Sequence, residues 1–109
     1  MKKSEYKAPA TLSVEARGWW ARLLDEYGID DPAGLLLLQT SLEAFDRMRE
    51  AQRRIKKDGA TIKDRFDQLR AHPAITTERD SRAQMLMAMK SLNLDIEPLR
   101  DGPGRPGGN

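Results

Sequence analysis

The sequence predicts an all-α fold of three main helices, organised around one long central helix at about residues 32–58 and completed by oligomeric assembly. Three observations carry this. Between Asp31-Pro32 and Asp58-Gly59 the only glycine or proline is Gly34, in the first turn. Apolar residues recur at helical spacing in three separate segments. The joints between those segments carry helix punctuation, namely Gly28, Gly59 and Pro73.

Composition sets the frame. The chain has 109 residues, one domain on length alone, with 39% apolar and 33% charged residues. A domain of this size and polarity buries a modest fraction of its surface, which favours assembly with further copies. Nineteen basic residues face 17 acidic ones for a net charge of +2, so the distribution of charge says more than the sum. There is no cysteine and only one histidine, His72, which excludes disulfides, thiol chemistry and a histidine-rich metal centre. No signal peptide and no membrane-spanning apolar run is legible, so a soluble, cytoplasmic protein is expected.

Residues 1–10 read as a flexible basic arm in which Lys2, Lys3 and Lys7 are opposed only by Glu5. Ser13 is a suitable N-cap for the first helix, with Glu15 in its first turn. Ala16, Trp20, Leu23, Leu24 and Tyr27 fall on one face, with Trp19 at its margin, and Gly28 ends the helix. Such a stripe makes Trp19 and Trp20 candidates for core or subunit interface rather than for base stacking.

The central helix has an N-cap in Asp31, a proline suited to the first helical position in Pro32, and a C-terminal stop in Gly59 after Lys56 and Lys57. It should run roughly 25 to 27 residues, about 40 Å at 1.5 Å per residue. A compact chain of this length has a radius of gyration near ~13 Å, so a helix this long calls for a partner, most simply another copy of itself. Leu35, Leu38, Leu42 and Phe45 form a stripe continued by Ser41, Met48, Gln52 and Ile55, with Leu36 and Leu37 widening the apolar arc. The C-terminal half is basic, with Arg47, Arg49, Arg53, Arg54, Lys56 and Lys57 against Asp46, Glu50 and Asp58. That half reads either as a nucleic-acid surface or as a solvated face of pairs such as Glu50–Arg53 and Glu50–Arg54.

Residues 60–71 lack a helical stripe. Thr61-Ile62-Lys63 and Phe66-Asp67-Gln68-Leu69 resemble two short extended pieces around Asp64-Arg65, a hairpin or ordered loop that must rest on other elements. Lys63, Arg65 and Arg70 extend the basic excess. The third helix starts either after His72-Pro73 or at Thr76-Thr77-Glu78 and runs to Leu92, with Asn93 as its left-handed stop. Ile75, Met85, Leu86, Met89 and Leu92 form its apolar stripe. Arg82 falls inside that stripe, either as a snorkelling stem or as one half of an ion pair across an interface. Residues 11–98 therefore form a single helical domain, and the proline- and glycine-rich tail 99–109 is expected to be disordered.

No Walker loop, nucleophile elbow or His-Glu-x-x-His motif is present, so no enzyme, cofactor or metal site is expected. Histidine before proline reads as a capping or packing residue.

The order of these features resembles the small terminase subunits of tailed double-stranded DNA phages. Trp19 to Leu23, the long helix ending at Gly59, and the Thr61–Phe66 element carry the resemblance. So do His72-Pro73-Ala74 with Glu78 and Arg82 after it, and Leu92-Asn93-Leu94 before Pro98. That family typically ends Leu-Gly-Leu-x-x-Pro; here Asn93 replaces the glycine and Pro98 stands one residue further on. The resemblance implies a non-catalytic DNA-packaging component: a ring-forming homo-oligomer that binds double-stranded viral DNA in the bacterial host cytoplasm and recruits and regulates the large terminase subunit. On that basis Arg53, Arg54, Lys56, Lys57, Lys63, Arg65, Lys2, Lys3 and Lys7 are the candidate DNA contacts. Trp19, Trp20, Leu35, Leu38, Leu42, Phe45, Arg82, Met85, Leu86 and Met89 are the candidate subunit interface. Two rival readings are a small dimeric DNA-binding transcriptional regulator and a protein adaptor that never touches DNA.

Overall fold

The computed structural model describes residues 6–93. Helix α1 (Val14–Tyr27) leads into the long α2 (Pro32–Asp58), followed by strands β1 (Thr61–Lys63) and β2 (Leu69–Ala71) and by helix α3 (Ala74–Leu92). The fold is helical, with one small antiparallel hairpin in which Thr61 pairs with Ala71, Ile62 with Arg70 and Lys63 with Leu69. No helix among the described residues is long and apolar enough to cross a membrane.

The caps are the ones the residues dictate. Ser13 accepts from the Ala16 amide at 3.0 Å, and Gly28 closes α1 in the left-handed conformation at φ 61°. Asp31 accepts from the Gly34 amide at 2.9 Å. A side chain at position 34 would meet the Asp31 carboxylate at 2.8 Å, so this cap requires glycine there. Helix α2 then runs unbroken for 27 residues.

Ser13 and Glu15, at the start of α1, reach Asp46 and Arg49 in the middle of α2. The two helices therefore run antiparallel. Between them lies the core: Leu12, Ala16, Trp20 and Leu24 against Leu38, Leu42, Phe45 and Met48, with Met85 and Leu92 of α3 at its edge. Residues 6–10, expected to belong to a free arm, are in fact tied down. Ala8 packs on the core, and the Tyr6 carbonyl accepts from the Trp20 indole at 3.1 Å. Residues 1–5 lie outside the described residues, as does the expected tail.

Helix α3 returns antiparallel along α2 in a register marked by Asp58–His72, Gln52–Glu78 and Arg47–Gln84. Its buried residues are Ala74, Ser81 and Ala88, one every seven, and α2 offers the equally small Ser41, Ala44 and Ala51. The small side chains let the helix axes come close, as ridges of larger residues would not. Of the expected α3 stripe, Leu86 points outward, 55% exposed.

Four candidate interface residues are committed to the interior of the chain itself. Trp20 is 5% exposed, Leu38 0%, Leu42 2% and Phe45 8%. Helical periodicity says that a face is covered; here α1 and α3 cover it. Within the chain Arg82 pairs with Glu78, one turn earlier on its own helix.

The second extended piece lies at Leu69–Ala71 rather than Phe66–Leu69, because Asp64 organises a longer turn. Its Oδ1 accepts from the amides of Phe66 at 2.8 Å and Gln68 at 3.1 Å, and Asp67 turns the chain in the left-handed region at φ 63°. Helix α3 begins at the earlier of its two expected starts. His72 is buried, and its Nδ1 accepts from the Ala74 amide at 3.0 Å. The neutral ring then carries its proton on Nε2, which donates to the Asp58 carboxylate at 2.8 Å. One imidazole thus clasps the last residue of α2 to the first of α3. The molecule is elongated, with a radius of gyration of 18.0 Å.

Candidate nucleic-acid interface

Because α1 begins level with Asp46 and Arg49, the last nine residues of α2 extend beyond it, about 14 Å at 1.5 Å per residue. Together with the start of α3 and the hairpin they form an arm. Residues 50–72 carry seven basic side chains against four acidic ones, an excess of three positive charges. The His72–Asp58 clasp holds the end of α2 and the base of the hairpin together, so these charges share one end of the molecule.

They are not equally available. Arg49 is spent on structure: it pairs with Glu15 at 2.9 Å and lies over the Phe45 ring at 5.0 Å. Arg53 and Arg54 both bind Glu50, at 3.0 and 3.1 Å. The Arg53 guanidinium, followed by that of Arg54, holds the Glu50 carboxyl below its ordinary value. Lys63 pairs with Asp67 at 3.4 Å, and Arg70 with Asp64 at 2.7 Å. Lys56 and Lys57 are exposed and make no ion pair among the described residues. Arg65 lies over the Phe66 ring at 5.1 Å, its charge otherwise open to solvent. Of the candidate DNA contacts, then, Lys56, Lys57 and Arg65 are the unopposed cations of the arm. Lys7 is exposed but belongs to the N-terminal segment, and Lys2 and Lys3 lie outside the described residues.

The turn has an acid-sensitive lock. The Arg70 hydrogen bond, with the Gln68 amide next, holds the Asp64 carboxyl below its ordinary value of 3.8. A carboxyl depressed on folding stabilises the fold above its unfolded value, and that contribution is lost as pH falls through the lower folded value. The Phe66 and Gln68 amide resonances are therefore expected to move together with one sub-ordinary midpoint in a titration from about pH 5 to about pH 2. Asp64→Asn should abolish that midpoint.

The family model described as "Phage terminase, small subunit" matches residues 16–98, which takes in α1 from its third residue and all of α2, the hairpin and α3. The chain belongs to the phage terminase small-subunit family. It is a non-catalytic component of phage DNA packaging. No curated protein and no solved structure matches it.

In this small subunit, the candidate interface residues left accessible to a second copy are Trp19, Leu86 and Arg82, with Leu35, Met85 and Met89 half-buried. Trp19 lies on the outer side of α1, with the Arg22 guanidinium 5.1 Å from its ring. The candidate interface did not include Met87, on the outer side of α3, or the exposed Phe66 and Leu69 of the hairpin. The offset of Phe66 and Leu69 from the half-buried Ile62 was the available signal, obscured by the misplaced second strand.

Proposed function

We propose that this small subunit closes into a homo-oligomeric ring and grips double-stranded viral DNA through the phosphates, using Arg53, Arg54, Lys56, Lys57, Lys63 and Arg65. It then recruits and regulates the large terminase subunit, a nuclease and ATPase, in the cytoplasm of the bacterial host. The observation that carries the reading is the gathering of these cations on one projecting arm, three of them without a carboxylate partner among the described residues. Lys2, Lys3 and Lys7 are assigned the same role from the N-terminal side, and the tail 99–109 is assigned to the large subunit.

Ring closure is supported by apolar side chains on two different outer surfaces, Trp19 on α1 and Leu86 with Met87 on α3. Two unlike patches on one elongated subunit suit a heterologous contact, which closes into a ring when its rotation divides the circle. Native mass spectrometry is expected to give one discrete species larger than a tetramer. A stable dimer overturns the ring and favours the regulator reading.

Glu50 supplies a second test. It neutralises Arg53 and Arg54 on the surface assigned to DNA. Glu50→Gln is expected to tighten duplex binding about 5- to 10-fold at low salt and to steepen its salt dependence, read by fluorescence anisotropy. Unchanged binding counts against a phosphate role for the two arginines.

A further inference from the structure

We propose that the β1–β2 hairpin is a wedge: its tip enters the minor groove of duplex DNA and inserts the Phe66 ring at a base step. The inference rests on the DNA-binding reading above and names the element that deforms the duplex.

Phe66 is 67% exposed and Leu69 is 71% exposed, the largest apolar surfaces on the basic arm. Neither belongs to the core cluster, so the fold gains little from keeping them apolar. The backbone that carries Phe66 is locked. Asp64 accepts from the Phe66 and Gln68 amides and from Arg70, its own amide donates to the Gln68 carbonyl at 2.9 Å, and the Asp67 amide donates to the Asp64 carbonyl at 2.9 Å. A tip ordered in advance spends little entropy when it inserts.

The surroundings suit a polyanion rather than an apolar protein pocket. The Arg65 guanidinium sits on the Phe66 ring, and Arg70 and Lys63 flank it on the two strands. The tip's two carboxylates are already engaged, Asp64 by Arg70 and Asp67 by Lys63. Insertion would carry the unopposed Arg65 to a phosphate beside the step, while Lys56 and Lys57 meet the backbone further along. Minor-groove proteins that push an apolar side chain between base pairs unstack the step and kink the duplex by about 20–90°.

The test uses the full chain and an end-labelled duplex of about 30 base pairs carrying a fluorescent base analogue, so that bending and unstacking are both read. Wild type is expected to shorten the end-to-end distance and brighten the analogue. Phe66→Ala is expected to lose both signals while binding within about 5-fold of wild type with the same salt slope, since no phosphate contact is removed. Phe66→Leu, still an apolar wedge, should restore most of the bend.

Duplex bound without bending, or bent equally by Phe66→Ala, overturns the wedge and leaves the phosphate reading standing. No duplex binding by wild type overturns both. If Phe66→Ala instead alters the oligomer mass or large-subunit capture and leaves the bend intact, the hairpin is a protein-docking knob and the wedge is wrong.

Discussion

Lys56→Glu/Lys57→Glu is expected to weaken duplex binding on the order of 100-fold at low salt and to flatten its salt dependence by about two units of slope. The reasoning is local. Lys56 and Lys57 end α2 on the projecting arm and spend no charge on a neighbouring carboxylate among the described residues. Each reversal removes one phosphate contact and adds a repulsion. They also sit in the last turn of α2, where cations favour the negative helix end, so a modest loss of stability of about 0.3–1 kcal/mol accompanies the change. Thermal melting separates that loss from the binding defect. Reversal of Arg53 and Arg54 should do less, because Glu50 already holds part of their charge. Full binding by the lysine variant would sink the DNA surface assigned here.

The second large effect is on stability. Trp20→Ala is expected to cost about 3–5 kcal/mol, the usual range for deleting a buried aromatic side chain. Trp20 fills the space between α1 and the N-terminal half of α2, and its indole N–H holds the Tyr6 carbonyl. The truncation leaves a cavity and also frees residues 6–10. For a domain of this size each kcal/mol moves the melting temperature by about 4–8 °C, so a fall of more than ~10 °C is expected by circular dichroism. Trp20→Phe keeps most of the apolar volume and loses the hydrogen bond, and should cost about 1–2 kcal/mol. A fall of only a few degrees for Trp20→Ala would show that α1 is held mainly by Ser13–Asp46 and Glu15–Arg49.

The helices were legible in the residues because their ends are written locally. Asp31, Pro32 and Gly59 bound α2, and Ser13 and Gly28 bound α1, within a turn of where each acts. The pairing of Glu50 with Arg53 and Arg54 is equally local. What escaped were contacts between distant positions. Nothing near Tyr6 announces that its carbonyl meets an indole 14 residues later, and nothing near His72 names Asp58 as its partner. The second strand moved because one carboxylate, Asp64, gathers three donors and lengthens the turn. The stripe Leu38, Leu42 and Phe45 showed that a face is buried, but periodicity carries no information on whether the covering surface comes from the same chain or another. For the site, the basic excess was visible, but which cations remain unopposed depended on the three-dimensional pairing.

The close contact between α2 and α3 has a consequence for how this chain can vary. Positions 44, 51, 74, 81 and 88 hold only alanine and serine, all buried. Enlarging Ala44, Ser81 or Ala88 pushes the helix axes apart, at about 1–3 kcal/mol each, and shifts the His72–Asp58 clasp. Exchange among glycine, alanine and serine leaves the axes where they are. These positions therefore act as a one-sided size filter: side chains no larger than serine keep the helix spacing that aims the basic arm.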